Sequence, residues 1–103
     1  MQTHPKKRID LLIEMPVLRR VSERLEKAGV TGYSVLPVIA GRGQTGTWSA
    51  DDQIGNAGQM VAIMCIVDAA KVDTVLEAVF AVVSGQIGLV TVSDVAVVRP
   101  ERF

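Results

Sequence analysis

The chain has 103 residues, with 11 Lys plus Arg against 11 Asp plus Glu, so its formal net charge is zero. That length holds a single domain, 1–103, and the lack of net positive charge excludes a general nucleic-acid binder, which needs a basic surface to neutralise phosphates. Apolar residues make up 49%, too many for a disordered chain, and so many in a small domain that either the core is unusually complete or apolar surface is buried against other copies of the chain.

His4, the only histidine, lies among the first residues, a stretch that reads as frayed. Lys6, Lys7 and Arg8 follow, with no signal-peptide apolar region behind them, so a cytoplasmic location is expected. No apolar segment is long enough to span a bilayer. Ile9 to Met15 reads as a strand buried on both faces. Pro16 suits the first turn of a helix, whose apolar stripe is Val17, Leu18, Val21, Leu25 and Ala28, and Gly29 is placed to stop it. Tyr33 to Ile39 is a second strand, and Pro37 puts it at an edge or a bulge because proline donates no ladder hydrogen bond.

Residues 40–58 hold five glycines and little that builds a core, and read as one long loop, a feature usually functional or disordered in so small a domain. Gln59 to Val67 is the third strand. Asp68 is a good N-cap for a second helix, with Val72, Val75, Leu76, Val79, Phe80 and Val83 as its core stripe. Ser84-Gly85 ends that helix, and Val90 to Val98 is the fourth strand. Strand, helix, strand, strand, helix, strand is the split βαβ plan: an α+β, ferredoxin-like βαββαβ fold.

The catalytic inventory is thin. The single cysteine, Cys65, excludes an internal disulfide framework and a cysteine-based zinc site. In its apolar run it reads as a buried, inert thiol. Asp51-Asp52 is either a carboxylate pair for metal or acid–base work or a solvated turn. No metal site and no catalytic constellation is expected. Three glycine-bearing segments stand out: 29–32, 41–46 and 84–88. Each is a turn by itself. Together they could bring backbone N–H groups close to an anion, with Arg42, Arg99 and Arg102 supplying the matching charge. Trp48 is either an anchor for a protein partner or folds back onto its own loop.

At this point the pattern resembles the PII family of signalling proteins, over nearly the whole chain. Lys7-Arg8-Ile9-Asp10-Leu11-Leu12-Ile13 is similar to the family's Lys-Lys-Ile-Asp-Ala-Ile-Ile opening. Gly29-Val30-Thr31-Gly32-Tyr33-Ser34-Val35 is similar to its Gly-Val-Thr-Gly-Met-Thr-Val, and Ser84-Gly85-Gln86-Ile87-Gly88 to its Thr-Gly-Lys-Ile-Gly, the B-loop, here about 84–89. The resemblance implies a homotrimer that binds adenine nucleotides in clefts between subunits and signals by ordering of its T-loop, here about 40–58. It implies that Gly32 and Ser34 lie beside the adenine and ribose. Gly85, Gln86, Ile87 and Gly88 would serve the phosphates, with Arg102 and, less directly in register, Arg99. Gly41, Arg42, Gly43, Gln44 and Thr45 would form an anion-binding part of the T-loop.

The departures from the pattern are informative. The T-loop is shorter and has no tyrosine to be uridylylated. The B-loop lacks its Asp-Gly-Lys continuation, and a lysine that helps hold 2-oxoglutarate aligns near Met60. ADP or AMP is therefore expected over ATP. The short loops and the Gly-Arg-Gly-Gln-Thr-Gly-Thr-Trp stretch resemble the carboxysome-associated PII branch. That implies bicarbonate as a co-ligand and a role in inorganic-carbon regulation, with a carboxysome or bicarbonate-transport component as the protein target. The alternatives are a CutA-like trimeric ion-tolerance protein and a small acylphosphatase-like enzyme on the same fold.

Overall fold

A computed structural model of the chain describes residues 1–43, 46–49, 59–86 and 88–103, with Gly46–Ser49 described by their strand pairing alone. Its elements are β1 (His4–Glu14), α1 (Leu18–Lys27), β2 (Tyr33–Pro37), β3 (Ala40–Gly43), β4 (Gly46–Ser49), β5 (Met60–Val67), α2 (Val72–Val83) and β6 (Gly88–Val97). The main sheet has strand order β2-β5-β1-β6, all neighbours antiparallel. This is the split βαβ arrangement: β5 separates β1 from β2, and β1 separates β5 from β6.

β1 begins earlier than expected. His4 is paired opposite Val97, not frayed. Pro5 is tolerated because β5 reaches only to Lys7 on that side, so β1 has a single neighbour there. Pro37 sits on β2, an edge strand as anticipated.

The helices are set by local chemistry. A 3-10 turn, Met15–Val17, carries Pro16 and leads into α1. At the other end Gly29 has φ +87. Its N–H bonds to Glu26 O at 3.1 Å, and Val30 N–H bonds to Leu25 O at 3.1 Å. This is the paired hydrogen-bond pattern of a glycine-terminated helix, with Val30 and Leu25 both buried beneath it. Lys71 Nζ donates to Gly29 O at 2.8 Å, tying the end of α1 to the start of α2.

Asp68 does not act as a side-chain N-cap. Its carboxylate pairs with Lys6 instead, and a 3-10 turn, Ala69–Lys71, precedes α2. The hydrogen bond and charge of Lys6 hold the Asp68 carboxyl below its usual range. The core stripe of α2 departs from the expectation at Phe80 alone: Val72, Leu76 and Val83 pack against the core beside Val75 and Val79, and Val82 joins them. Val75, Val79 and Val82 are buried, while Phe80 is 65% exposed. Phe80 instead lines a hollow of about 380 Å³ between α2 and β6, with Leu76, Val90 and Val92.

The core lies on the helix side of the sheet. Ile9, Leu11 and Ile13 of β1 alternate into it, opposite Cys65, Ile63 and Val61 of β5, and Val21 and Leu25 of α1 close over them. β1 is thus buried by this chain on one face only, not on both. On the other face the register aligns Leu36, Ala62, Leu12 and Leu89 in one row across all four strands. None of the four is fully buried.

Residues 40–58 are not one unbroken loop. β3 and β4 pair as a separate two-stranded sheet, with Gly43 opposite Gly46. Three glycines masked a hairpin whose other positions include Thr47 and Trp48, residue types that favour strands.

Candidate functional site

The two edges of the main sheet carry the two halves of the candidate site. At the β2 edge, a cavity of about 420 Å³ is lined by Thr31 to Ser34, by Met64 to Ile66 of β5, and by Arg102 and Phe103. Three expected site residues, Gly32, Ser34 and Arg102, meet here. Thr31 Oγ1 donates to Arg102 O at 3.2 Å, which holds the C-terminal 3-10 turn (Pro100–Arg102) against the segment leading into β2. A Cβ built on Gly32 meets nothing within 4 Å, so this wall of the cavity is open backbone.

The cavity has an apolar floor and polar rims. Met64 and Ile66 alternate on one face of β5 opposite Ser34 and Arg8, and Cys65 points into the core. Burial pushes the Cys65 thiol up to about 11, so it stays neutral, in keeping with an inert thiol. Arg8 and Asp10 lie on the open face of β1 as a bidentate pair, at 2.9 Å (Nε–Oδ2) and 3.0 Å (Nη2–Oδ1). Tyr33 Oη donates to Glu26 Oε1 at 3.2 Å, pinning the start of β2 to α1. Among the described residues Arg102 enters none of the ion pairs, which leaves its charge available to an anion.

The other expected residues lie elsewhere. Gly85 and Gln86 precede β6, and Gly88 opens it opposite Ile13. Tyr33, by contrast, stands in line with Cys65, Ile9 and Val92. At about 4.8 Å between strands and 3.3 Å per residue, the Gly88 corner is about 14 Å across the sheet and 13 Å along it from Tyr33. One chain therefore does not bring Gly32 and Gly88 to a common ligand. Gly88 also has a packing role that sequence did not suggest, since a Cβ there would meet Leu12 O at 2.5 Å.

Arg99 pairs with Glu101 at 3.4 Å and does not line the cavity. Gly41, Arg42 and Gly43 lie in the separate hairpin. Gln44, Thr45, Asp51, Asp52 and Ile87, and the side chain of Trp48, lie outside the described residues. Sequence reasoning missed Met64, Ile66 and Phe103 as cavity residues. The first two follow once Ser34 is known to pair with Met64.

The profile of the family described as nitrogen regulatory protein P-II matches residues 6–102. No curated protein matches the chain. Among solved structures, CPII from Thiomonas intermedia K12, a nitrogen regulatory PII-like protein solved with ADP, AMP and bicarbonate, superposes with TM-score 0.88 at 24% identity, covering 99% of this chain and 96% of that one. A PII-like signalling protein from Thermus thermophilus superposes with TM-score 0.82 at 22% identity, over 100% and 99%. A DUF3240 family protein from Shewanella baltica does so with TM-score 0.68 at 14% identity, over 89% of each chain. The cavity at β2, the glycine turn before β6 and the order of the strands are thus set in a known frame, and the chain belongs to the nitrogen regulatory protein P-II family.

Proposed function

We propose that this P-II family protein is a trimeric, non-enzymatic sensor that binds ADP or AMP in clefts between subunits. The observation that carries the reading is that the β2-edge cavity and the glycine turn before β6 lie at opposite edges of one sheet. A neighbouring copy that sets its β6 edge beside this β2 edge joins them. The base and ribose then lie in the cavity by Gly32 and Ser34. The phosphates meet the backbone of Gly85, Gln86, Ile87 and Gly88 from the neighbour, with Arg102 supplying charge and Arg99 standing behind it. The apolar row Leu36, Ala62, Leu12 and Leu89 supports the assembly, because it offers an apolar stripe on the face that no described helix covers.

The finer reading is that bicarbonate binds as a co-ligand. Gly41, Arg42, Gly43, Gln44 and Thr45 would close near the nucleotide phosphates, and the T-loop so ordered would present a surface, Trp48 included, to a protein target. CPII, bound to ADP, AMP and bicarbonate, supports this by analogy of fold. A cytoplasmic protein of the carboxysome-linked branch, acting in inorganic-carbon regulation on a carboxysome or bicarbonate-transport component, is the role these ligands fit. Ligand binding switches the loop only if the two loop states bind the ligand differently. Among the described residues no helix is long and apolar enough to cross a membrane.

Calorimetry with ATP, ADP and AMP, each with and without bicarbonate, tests the proposal alongside sedimentation of the protein. The expected result is a trimer that binds ADP and AMP more tightly than ATP, with bicarbonate raising ADP affinity. Absence of binding by every adenine nucleotide would overturn the sensor reading. Unchanged ADP affinity would remove bicarbonate from it.

A further inference from the structure

We infer that Phe103 is a base-recognition residue: its ring forms one wall of the cavity at the β2 edge and stacks on the nucleobase. The inference rests on the reading that an adenine nucleotide occupies that cavity. Two aromatic residues line the cavity, and they are held differently. Tyr33 is committed to the protein, half-buried against the core with its hydroxyl on Glu26. Phe103 is 36% exposed, and its ring is not part of the core cluster.

The backbone behind Phe103 is nonetheless fixed. Its N–H donates to Pro100 O at 3.2 Å, and Arg102 N–H donates to Arg99 O at 3.2 Å. The Thr31 bond to Arg102 O moors the same turn to the segment before β2. The ring is thereby presented to the cavity from a braced turn. Gly32 is also part of the lining, and no side chain projects from it. An aromatic ring with a residue lacking a Cβ in the same cavity makes a slot suited to a flat heteroaromatic base, and stacking on such a ring contributes substantially to base binding. Arg102, the preceding residue, places a positive charge beside that slot, so base and phosphate are read by consecutive residues.

The test is ADP affinity by calorimetry in Phe103→Ala, Phe103→Leu and Phe103→Tyr, with thermal unfolding of each nucleotide-free protein as the check on folding. Phe103→Ala is expected to weaken ADP about tenfold or more, from the usual worth of base–aromatic stacking. Phe103→Tyr keeps the ring and should remain within about twofold of wild type on the same ground. Phe103→Leu, apolar but without a π face, should fall between. Leucine matching phenylalanine, or alanine costing nothing, would overturn the stacking role. Gly32→Val has room to fold and fills the slot from another side, so it should abolish ADP binding. Retained binding there would place the base elsewhere. If the wild-type protein itself bound no ADP, the nucleotide reading would fail first, a result distinct from wild-type binding that Phe103→Ala leaves unchanged.

Discussion

The two faces of one sheet are built from the same strands and end in opposite situations. On the helix side, Leu11 is 1% exposed beneath α1 and α2. One residue later Leu12 points the other way, into a row with Leu36, Ala62 and Leu89 that no described element of this chain covers. Alternation along β1 therefore does not separate a wet face from a dry one. It separates a core packed beneath the helices, open only at the hollow between α2 and β6, from a surface that calls for other copies. Exposed apolar side chains lie on both faces, Leu36 and Leu89 on the open one and Val35, Val90 and Val92 in register with the core rows, but only the open face carries an apolar row across all four strands.

Substitutions at these neighbouring positions sharpen the contrast most. Leu11→Ala removes a fully packed side chain and should lower unfolding free energy by about 2–5 kcal/mol in a urea melt, a large share of the roughly 5–15 kcal/mol expected of such a domain. Leu12→Glu should leave each subunit folded by circular dichroism while sedimentation shows monomers and ADP binding is lost. A Leu12→Glu protein that still assembled and bound ADP would mean the open face is not the assembly face.

Cys65 belongs to the helix side as well, and its burial gives that face a pH signature. Its folded pKa, about 11, exceeds the ordinary thiol value. The stability this contributes is therefore complete below about pH 9, falls as pH rises through the folded value, and is gone above about 11. The integrated effect is on the order of 2–3 kcal/mol. Denaturant melts between pH 8 and 11 should show a decline for wild type that is shallower in Cys65→Ala. Equal slopes would mean the thiol is solvated.

Gly85 and Gly88 divide binding from packing at the β6 edge. Gly85 has open space where a Cβ would stand, so Gly85→Ala should fold normally and weaken nucleotide binding. At Gly88 the added Cβ would press on the Leu12 carbonyl, so Gly88→Ala should cost roughly 1–3 kcal/mol of stability before any ligand is added. Equal melting of Gly88→Ala and wild type would show that β6 relaxes freely there.

The order of elements was legible because periodicity survives in short apolar runs: Val21 and Leu25 at helical spacing, Ile9, Leu11 and Ile13 at strand spacing. Pro37 marked its strand as an edge through a missing donor. What stayed hidden depended on partners distant in sequence. Asp68 has the side chain of an N-cap, yet Lys6, 62 residues away, takes it. Phe80 matches a core stripe, yet α2 leaves β6 uncovered and turns it outward. The β3–β4 hairpin was hidden by its glycines. Motif resemblance gave Gly32, Ser34 and Arg102 as site residues. Phe103 carries no sequence signal, because only the turn ending β6 brings it to the cavity.

The smallest expected effect lies at the rim of the helix side. Lys7 and Asp94 face each other across β1 and β6 and form an ion pair, in line with Val67, where the core gives way to solvent. The Asp94 side chain is 84% exposed, so water screens the attraction, and holding the lysine costs rotamer entropy. A double-mutant cycle with Lys7→Ala and Asp94→Ala should return a coupling below about 1 kcal/mol, shrinking further in high salt. If the coupling exceeded about 2 kcal/mol and resisted salt, the pair would have to be shielded from water by a neighbouring subunit. That would extend the assembly contact from the open face around the β6 edge, onto the side of the sheet that the helices were meant to complete by themselves.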